Sequence, residues 1–282
     1  MIDPTDETYA SRLTILTALF NNNISAPEAA SKLAEATLSD NTTTLEGSLY
    51  NLWNLLITLA ADSPAHHDKL VDLLVDISEL PDAETQQEKE EEDEDRGKQP
   101  LTLHSMTLWT DLPLLSWTLR DEWNFSTNPN SSAEKRARAI ARWINLNRFA
   151  ALLMATEEPV FASYSWFALV TLRQALETPS DQIDAAANPP EAWVPAAAVW
   201  IEVLGVEIFE WEEEFPVGGN RGAPGRGGPL WDGKHGFCKE RWGVWRGRFG
   251  VLARGEEEDE QVRRVAGDAE VMMREIEAGD VE

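Results

Sequence analysis

Apolar side chains recur at every third or fourth position along most of the chain. In one clear example, Leu45, Leu49, Leu52, Leu56 and Leu59 all fall on one face of a helix. This spacing is typical of an amphipathic α-helix. Strict alternation of polar and apolar residues, which is typical of strands, does not recur. The pattern therefore predicts an all-α protein of about ten helices.

Capping motifs mark the starts of several predicted helices. Ser25, Thr43 and Ser131 each stand three positions before a glutamate, which is the spacing of a capping box. The ten predicted helices cover about 9–20, 25–38, 43–59, 63–80, 110–123, 131–156, 159–178, 188–215, 238–252 and 262–276. Their short connections predict antiparallel packing of neighbours. Because no fixed period repeats, we expect an irregular antiparallel bundle or a short solenoid-like stack.

Two segments interrupt the helical pattern. Residues 82–96 hold nine acidic and two basic side chains, so we expect a disordered acidic loop over 82–100. Residues 216–230 hold six glycines and three prolines, which predicts a flexible loop. We expect one helical domain over 1–282, and two subdomains divided at the acidic loop remain an alternative.

Charge and composition exclude several classes of protein. The chain has 24 basic and 50 acidic side chains, a net charge of −26, so a nucleic-acid partner is not expected. The single cysteine, Cys238, excludes an intramolecular disulfide and a cysteine-based zinc site. The apolar runs are interrupted by acids and the first residues are acidic. We therefore expect no membrane association and an intracellular location, cytoplasmic or nuclear.

Basic residues are concentrated near the C-terminus. Between 221 and 254 there are eight bases and two acids. Pairing within the protein, for example with the glutamates of 202–214, is the favoured interpretation. The alternative is a binding surface for an acidic protein partner, centred on Lys239, Arg241, Arg246 and Arg248.

Candidate chemistry is sparse. The chain has no nucleophile elbow, P-loop, dinucleotide fingerprint or zinc-protease motif, so we predict no catalytic residue, metal site or cofactor. His235 is the histidine best placed for acid–base work, and Trp231 beside it either staples the loop or stands at a pocket mouth. Asn145 and Arg148 share one side of the sixth predicted helix, where they either tie helices together or form a polar pocket floor.

Three stretches resemble an ascomycete family known as domain of unknown function 3632. They are WINLNRFAALL at 143–153, the segment 161–177, and GPLWDGKHGFCKERWGVWRGRF at 228–249. The chain departs from the pattern at Cys238, where serine is expected, at Arg148, where a small residue is expected, and at the glycines of 243–250. The resemblance implies a fungal, intracellular, helical protein and brings no catalytic residue.

Two functions follow as hypotheses. The first is a non-enzymatic interaction or scaffold module that binds through the basic helix and the loop before it. The second is a small-molecule-binding protein or enzyme. Its pocket would lie between the sixth, eighth and ninth predicted helices, near Asn145, Arg148, Trp231 and His235. A structural subunit of a larger complex is a third possibility. Whether the protein is an enzyme stays open, and the sequence favours a non-enzymatic role.

Overall fold

Ten α-helices and one short β-hairpin make up the computed structural model over the residues that it describes, which are 7–84, 99–179, 182, 184–218, 223, 225–256 and 259–280. The helices are α1 (Glu7–Phe20), α2 (Ala26–Leu38), α3 (Leu45–Asp62), α4 (His67–Ser78), α5 (Leu115–Glu122), α6 (Ala133–Met154), α7 (Ser165–Leu176), α8 (Pro190–Glu210), α9 (Lys239–Arg254) and α10 (Glu260–Ala278). The hairpin pairs β1 (Thr102–Leu103) with β2 (Met106–Thr107) in antiparallel register. The predicted all-α class is confirmed.

The chain divides into two compact units. Unit 1 comprises Met1–Glu122 with Glu158–Val160, and unit 2 comprises Trp123–Glu157 with Phe161–Glu282. The expectation of one domain remains a prediction. Residues 85–98 of the predicted acidic loop and residues 219–222 and 224 of the predicted glycine-rich loop lie outside the described residues.

Unit 1 is built around α2 and α3. Helix α2 packs against α1, α3 and α4, and α3 also packs against α5. A buried arginine joins the first three helices, because Arg12 donates hydrogen bonds to Thr37 Oγ1 at 3.2 Å and Ser48 Oγ at 2.6 Å. The indole of Trp53, also buried, donates to the carbonyl of Pro113 at 2.8 Å.

Unit 2 is built around α8. This helix packs against α6, α7 and α10, and α10 packs against α9. Within the described residues α8 is the one helix that is long and apolar enough to cross a membrane, and 61% of its most apolar window is buried. Burial on several sides explains such a composition in a packed core.

Several predicted helix ends differ from the observed ends by one to six residues. Thr44 and Ser132, rather than Thr43 and Ser131, cap α3 and α6 by accepting backbone N–H bonds. Ser25 caps α2 as predicted. Helix α8 ends at Glu210 instead of reaching 215, because residues 213–215 leave the helix and pair with 235–237. The apolar residues of this extended stretch keep the spacing of a helix, so the sequence pattern predicts a helix that is too long.

Candidate functional site

A buried ion pair lies at the centre of the C-terminal part of unit 2. The side chains of Glu177 and Arg241 are both fully buried. Arg241 donates from Nε to Glu177 Oε1 at 2.7 Å and from Nη2 to Oε2 at 3.0 Å, which is a bidentate pair. Trp245 Nε1 also donates to Oε1, at 2.7 Å. Glu177 follows the end of α7, so this pair joins α7 to α9.

The glycine-rich segment packs onto this ion pair through its backbone. The N–H of Gly228 donates to Glu177 Oε2 at 2.7 Å, and the carbonyls of Gly225 and Gly236 accept from Arg241 Nη1 at 2.9 and 2.8 Å. All the charged atoms of the pair thus have partners. This completeness is what buried charge requires, and it indicates a structural role.

The structure places Arg241 in the interior, so it presents no charge to a partner. The other three bases proposed for an acidic-partner surface also have partners within unit 2. Lys239 Nζ lies 3.4 Å from Glu210 Oε1, and Arg246 Nε lies 2.9 Å from Glu277 Oε1. Arg248 Nη2 donates to the carbonyl of Thr178 at 3.4 Å.

Trp231 and His235 belong to the same folded segment. Trp231 Nε1 donates to the carbonyl of Lys234 at 2.9 Å, and the Trp231 ring lies 5.8 Å from the guanidinium carbon of Arg241. The backbone carbonyl of His235 accepts from the N–H of Phe215. Cys238 precedes α9, and burial raises the pKa of its thiol. A thiol with a raised pKa is a poor nucleophile at neutral pH.

The fully buried polar residue of α6 is Asn147, and not Asn145 or Arg148. Asn147 is fully buried, and its Oδ1 accepts from Thr171 Oγ1 at 2.8 Å and Trp200 Nε1 at 2.9 Å. Asn145 is half-buried. Arg148 forms an ion pair with Glu202, in which Nη2 lies 2.5 Å from Oε2. Asn147 therefore ties α6, α7 and α8 together, and Arg148 joins α6 to α8 at the surface.

A partly enclosed cavity of about 670 Å³ lies within unit 2, among α6, α7, α8 and α9. Its apolar lining includes Ile140, Ala175, Trp193, Val194 and Leu252. The second hypothesis expected a pocket between α6, α8 and α9. However, Asn145, Arg148, Trp231 and His235 do not line this cavity.

Polar side chains of the cavity have unused hydrogen-bonding groups. Gln174 and Asn188 make no side-chain hydrogen bond within the described part of the chain. Arg136 donates from Nη1 to the carbonyls of Ser131 and Pro129. Trp193 is 6% exposed, and its indole N–H has no acceptor among the described residues. The spacing along the chain does not reveal these four residues as one site, because they come from three separate segments, α6, α7 and 188–193.

Other candidate sites offer less chemistry. In unit 1 a shallower groove of about 490 Å³ is lined mainly by apolar residues, including Leu38, Leu80 and Trp109. Across the residues that the structure describes, no group of three or more histidine, cysteine or acidic side chains could hold a metal ion.

Comparison with known proteins identifies the family. The family model described as "Protein of unknown function (DUF3632)" matches residues 53–249, which is more than half of the chain. No curated protein matches the chain. The matched range includes Glu177, Arg241, Asn147 and most of the cavity lining. The chain therefore belongs to the DUF3632 family.

Proposed function

We propose that this protein binds a small amphipathic molecule in the cavity of unit 2. The observation that supports this proposal is a cavity of about 670 Å³ whose lining combines apolar walls with unpaired polar side chains. Pockets for small molecules have volumes of roughly 300–1,000 Å³, and they combine mostly apolar walls with a few polar groups.

Polar groups of the cavity lining are available to a ligand. A buried donor without an acceptor costs about 1–3 kcal/mol, so folded proteins leave few of them. Trp193 carries such a donor, whereas Gln174 and Asn188 are half-buried, so their amides are open to a ligand without this cost. A bound molecule with complementary groups would recover part of this cost.

The geometry favours this role over an acidic-partner surface on α9. Lys239 and Arg246 already have carboxylate partners in unit 2, and Arg241 is buried. An acidic partner would have to displace these internal pairs. A protein with a net charge of −26 would also repel it at long range.

A variant in which a large side chain blocks the cavity tests the proposal. Ala185 lines the cavity but is exposed, so Ala185→Trp should fill the space without overpacking the core. We expect the uncharged dye Nile red to bind the wild-type chain with a rise in fluorescence. Ala185→Trp should weaken this binding at least tenfold.

The control is Ala278→Trp, which adds the same side chain at an exposed position of α10 outside the cavity lining. This variant should bind Nile red as the wild type does. Equal binding by all three proteins, or no binding by any, would contradict the proposed function.

A further inference from the structure

The cavity lining carries opposed charges that lie toward solvent. Arg136 contributes one positive charge, and Glu191 and Asp259 contribute two negative charges. Glu191 and Asp259 are both exposed, so water screens them and they attract a cation only weakly. Arg136 offsets one of the two acids, so the lining carries a net charge of only −1 and offers no strong site for an ion of either sign. The charge distribution therefore favours an uncharged ligand.

Two primary amides line the same cavity from different segments. Gln174 lies on α7 and Asn188 lies just before α8. A primary amide offers two N–H donors and one carbonyl acceptor. Neither side chain forms a hydrogen bond within the described residues. Their best complement is a group with a donor and an acceptor side by side, as in a carboxamide.

The apolar wall defines the other half of the ligand. Ile140, Ala175, Val194 and Leu252 give aliphatic contact. Trp193 adds an aromatic residue whose indole N–H lacks an acceptor in the described chain. A carbonyl oxygen on the ligand would supply an acceptor to the indole N–H, and an apolar body would cover the aliphatic wall.

We infer that the cavity takes an uncharged molecule in which a carboxamide-type head is joined to an apolar body. This inference rests on the proposed function and adds the chemical class of the ligand. Gln174 and Asn188 are the residues that distinguish the head group.

Three naphthalene probes test the head group while keeping the apolar body constant. They are 2-naphthamide, which is neutral, 2-naphthoate, which is anionic, and 2-naphthylmethylammonium, which is cationic. Titration of the full-length chain, followed by calorimetry, should give a Kd for 2-naphthamide at least tenfold below those of the other two. Tenfold corresponds to about 1.4 kcal/mol.

A second part of the experiment replaces the two amide side chains. The double variant Gln174→Leu/Asn188→Leu should lose the preference for 2-naphthamide. Asn124→Leu, at an exposed position outside the cavity lining, should keep it. Circular dichroism should show the same helix content for all three proteins.

The possible outcomes separate this inference from the proposed function. A charged probe that binds as well as 2-naphthamide, or a preference that survives the double substitution, overturns the inference. If Nile red still binds in a manner that Ala185→Trp blocks, the proposed function stands and only the ligand class is wrong. If neither Nile red nor any naphthalene binds, both are wrong.

Discussion

At the scale of single residues, the carboxylate of Glu177 is fully buried and has several polar partners. Its carboxylate accepts bonds from Arg241, the indole of Trp245 and the backbone of Gly228. Burial lowers the pKa of the neighbouring Arg173, and the negative charge of Glu177 opposes that shift. Removing this carboxylate would leave a buried guanidinium without a counter-charge.

We expect Glu177→Ala to lower the free energy of unfolding by about 3–5 kcal/mol, because one member of a buried ion pair is lost. Replacing both members, as in Glu177→Leu/Arg241→Met, should cost less than the single substitution. Urea denaturation followed by tryptophan fluorescence measures both effects.

An exposed ion pair of the same unit serves as the control. Glu202 pairs with Arg148, and their side chains are 51% and 34% exposed. Glu202→Ala should therefore change the free energy of unfolding by no more than about 1 kcal/mol. A loss as small for Glu177→Ala would show that the buried pair is not a main support of unit 2.

At the scale of elements, two glycines of unit 2 differ in the space that a Cβ atom would have. A Cβ atom at Gly236 would lie 1.9 Å from the carbonyl oxygen of Glu213, where the extended stretch 213–215 pairs with 235–237. A Cβ atom at Gly247, on α9, would have no neighbour within 4 Å. Of these two glycines, Gly236 is therefore the one that close backbone approach requires.

This difference gives opposite predictions for the same substitution. Gly247→Ala should raise the free energy of unfolding by about 0.5–1 kcal/mol, because glycine weakens a helix relative to alanine. Gly236→Ala should lower it by about 1–3 kcal/mol, the usual cost of overpacking. Thermal unfolding of the two variants compares them directly, and a loss of stability in Gly247→Ala would contradict the assignment.

At the scale of the whole molecule, charge is the dominant property. The chain carries a net charge of −26 and has a pI near 4.4. Surface ion pairs such as Lys239 with Glu210, whose side chains are both more than half exposed, contribute little. Repulsion among the excess acids should therefore outweigh the ion pairs when salt is low.

We expect the unfolding temperature at pH 7 to rise with salt. Raising NaCl from about 0.01 M to about 0.15 M shortens the Debye length from about 30 Å to about 8 Å, which screens the repulsion. Differential scanning calorimetry measures the change. Near pH 4.4 the net charge is close to zero, so the same salt step should have little effect. A fall of the unfolding temperature with salt at pH 7 would show instead that the ion pairs dominate.

The helices could be predicted because the spacing of their apolar residues involves positions that are close in sequence. Leu49, Leu52 and Leu56 are all buried on α3, as their spacing predicts. The family could also be predicted, since the stretches 143–153 and 228–249 that suggested it lie wholly within the matched range. The predicted end of α8 was wrong because the extended residues after it pair with residues 20 positions away, which no local pattern records.

The sequence by itself therefore determined the all-α class, the family and the excess of negative charge, which depend on composition and on local spacing. Tertiary structure alone decided which polar residues are buried. It paired Glu177 with Arg241 across 64 positions and brought Gln174 and Asn188 to one cavity. Contacts between distant residues depend on how the helices pack, so the spacing along the chain carries no direct record of them.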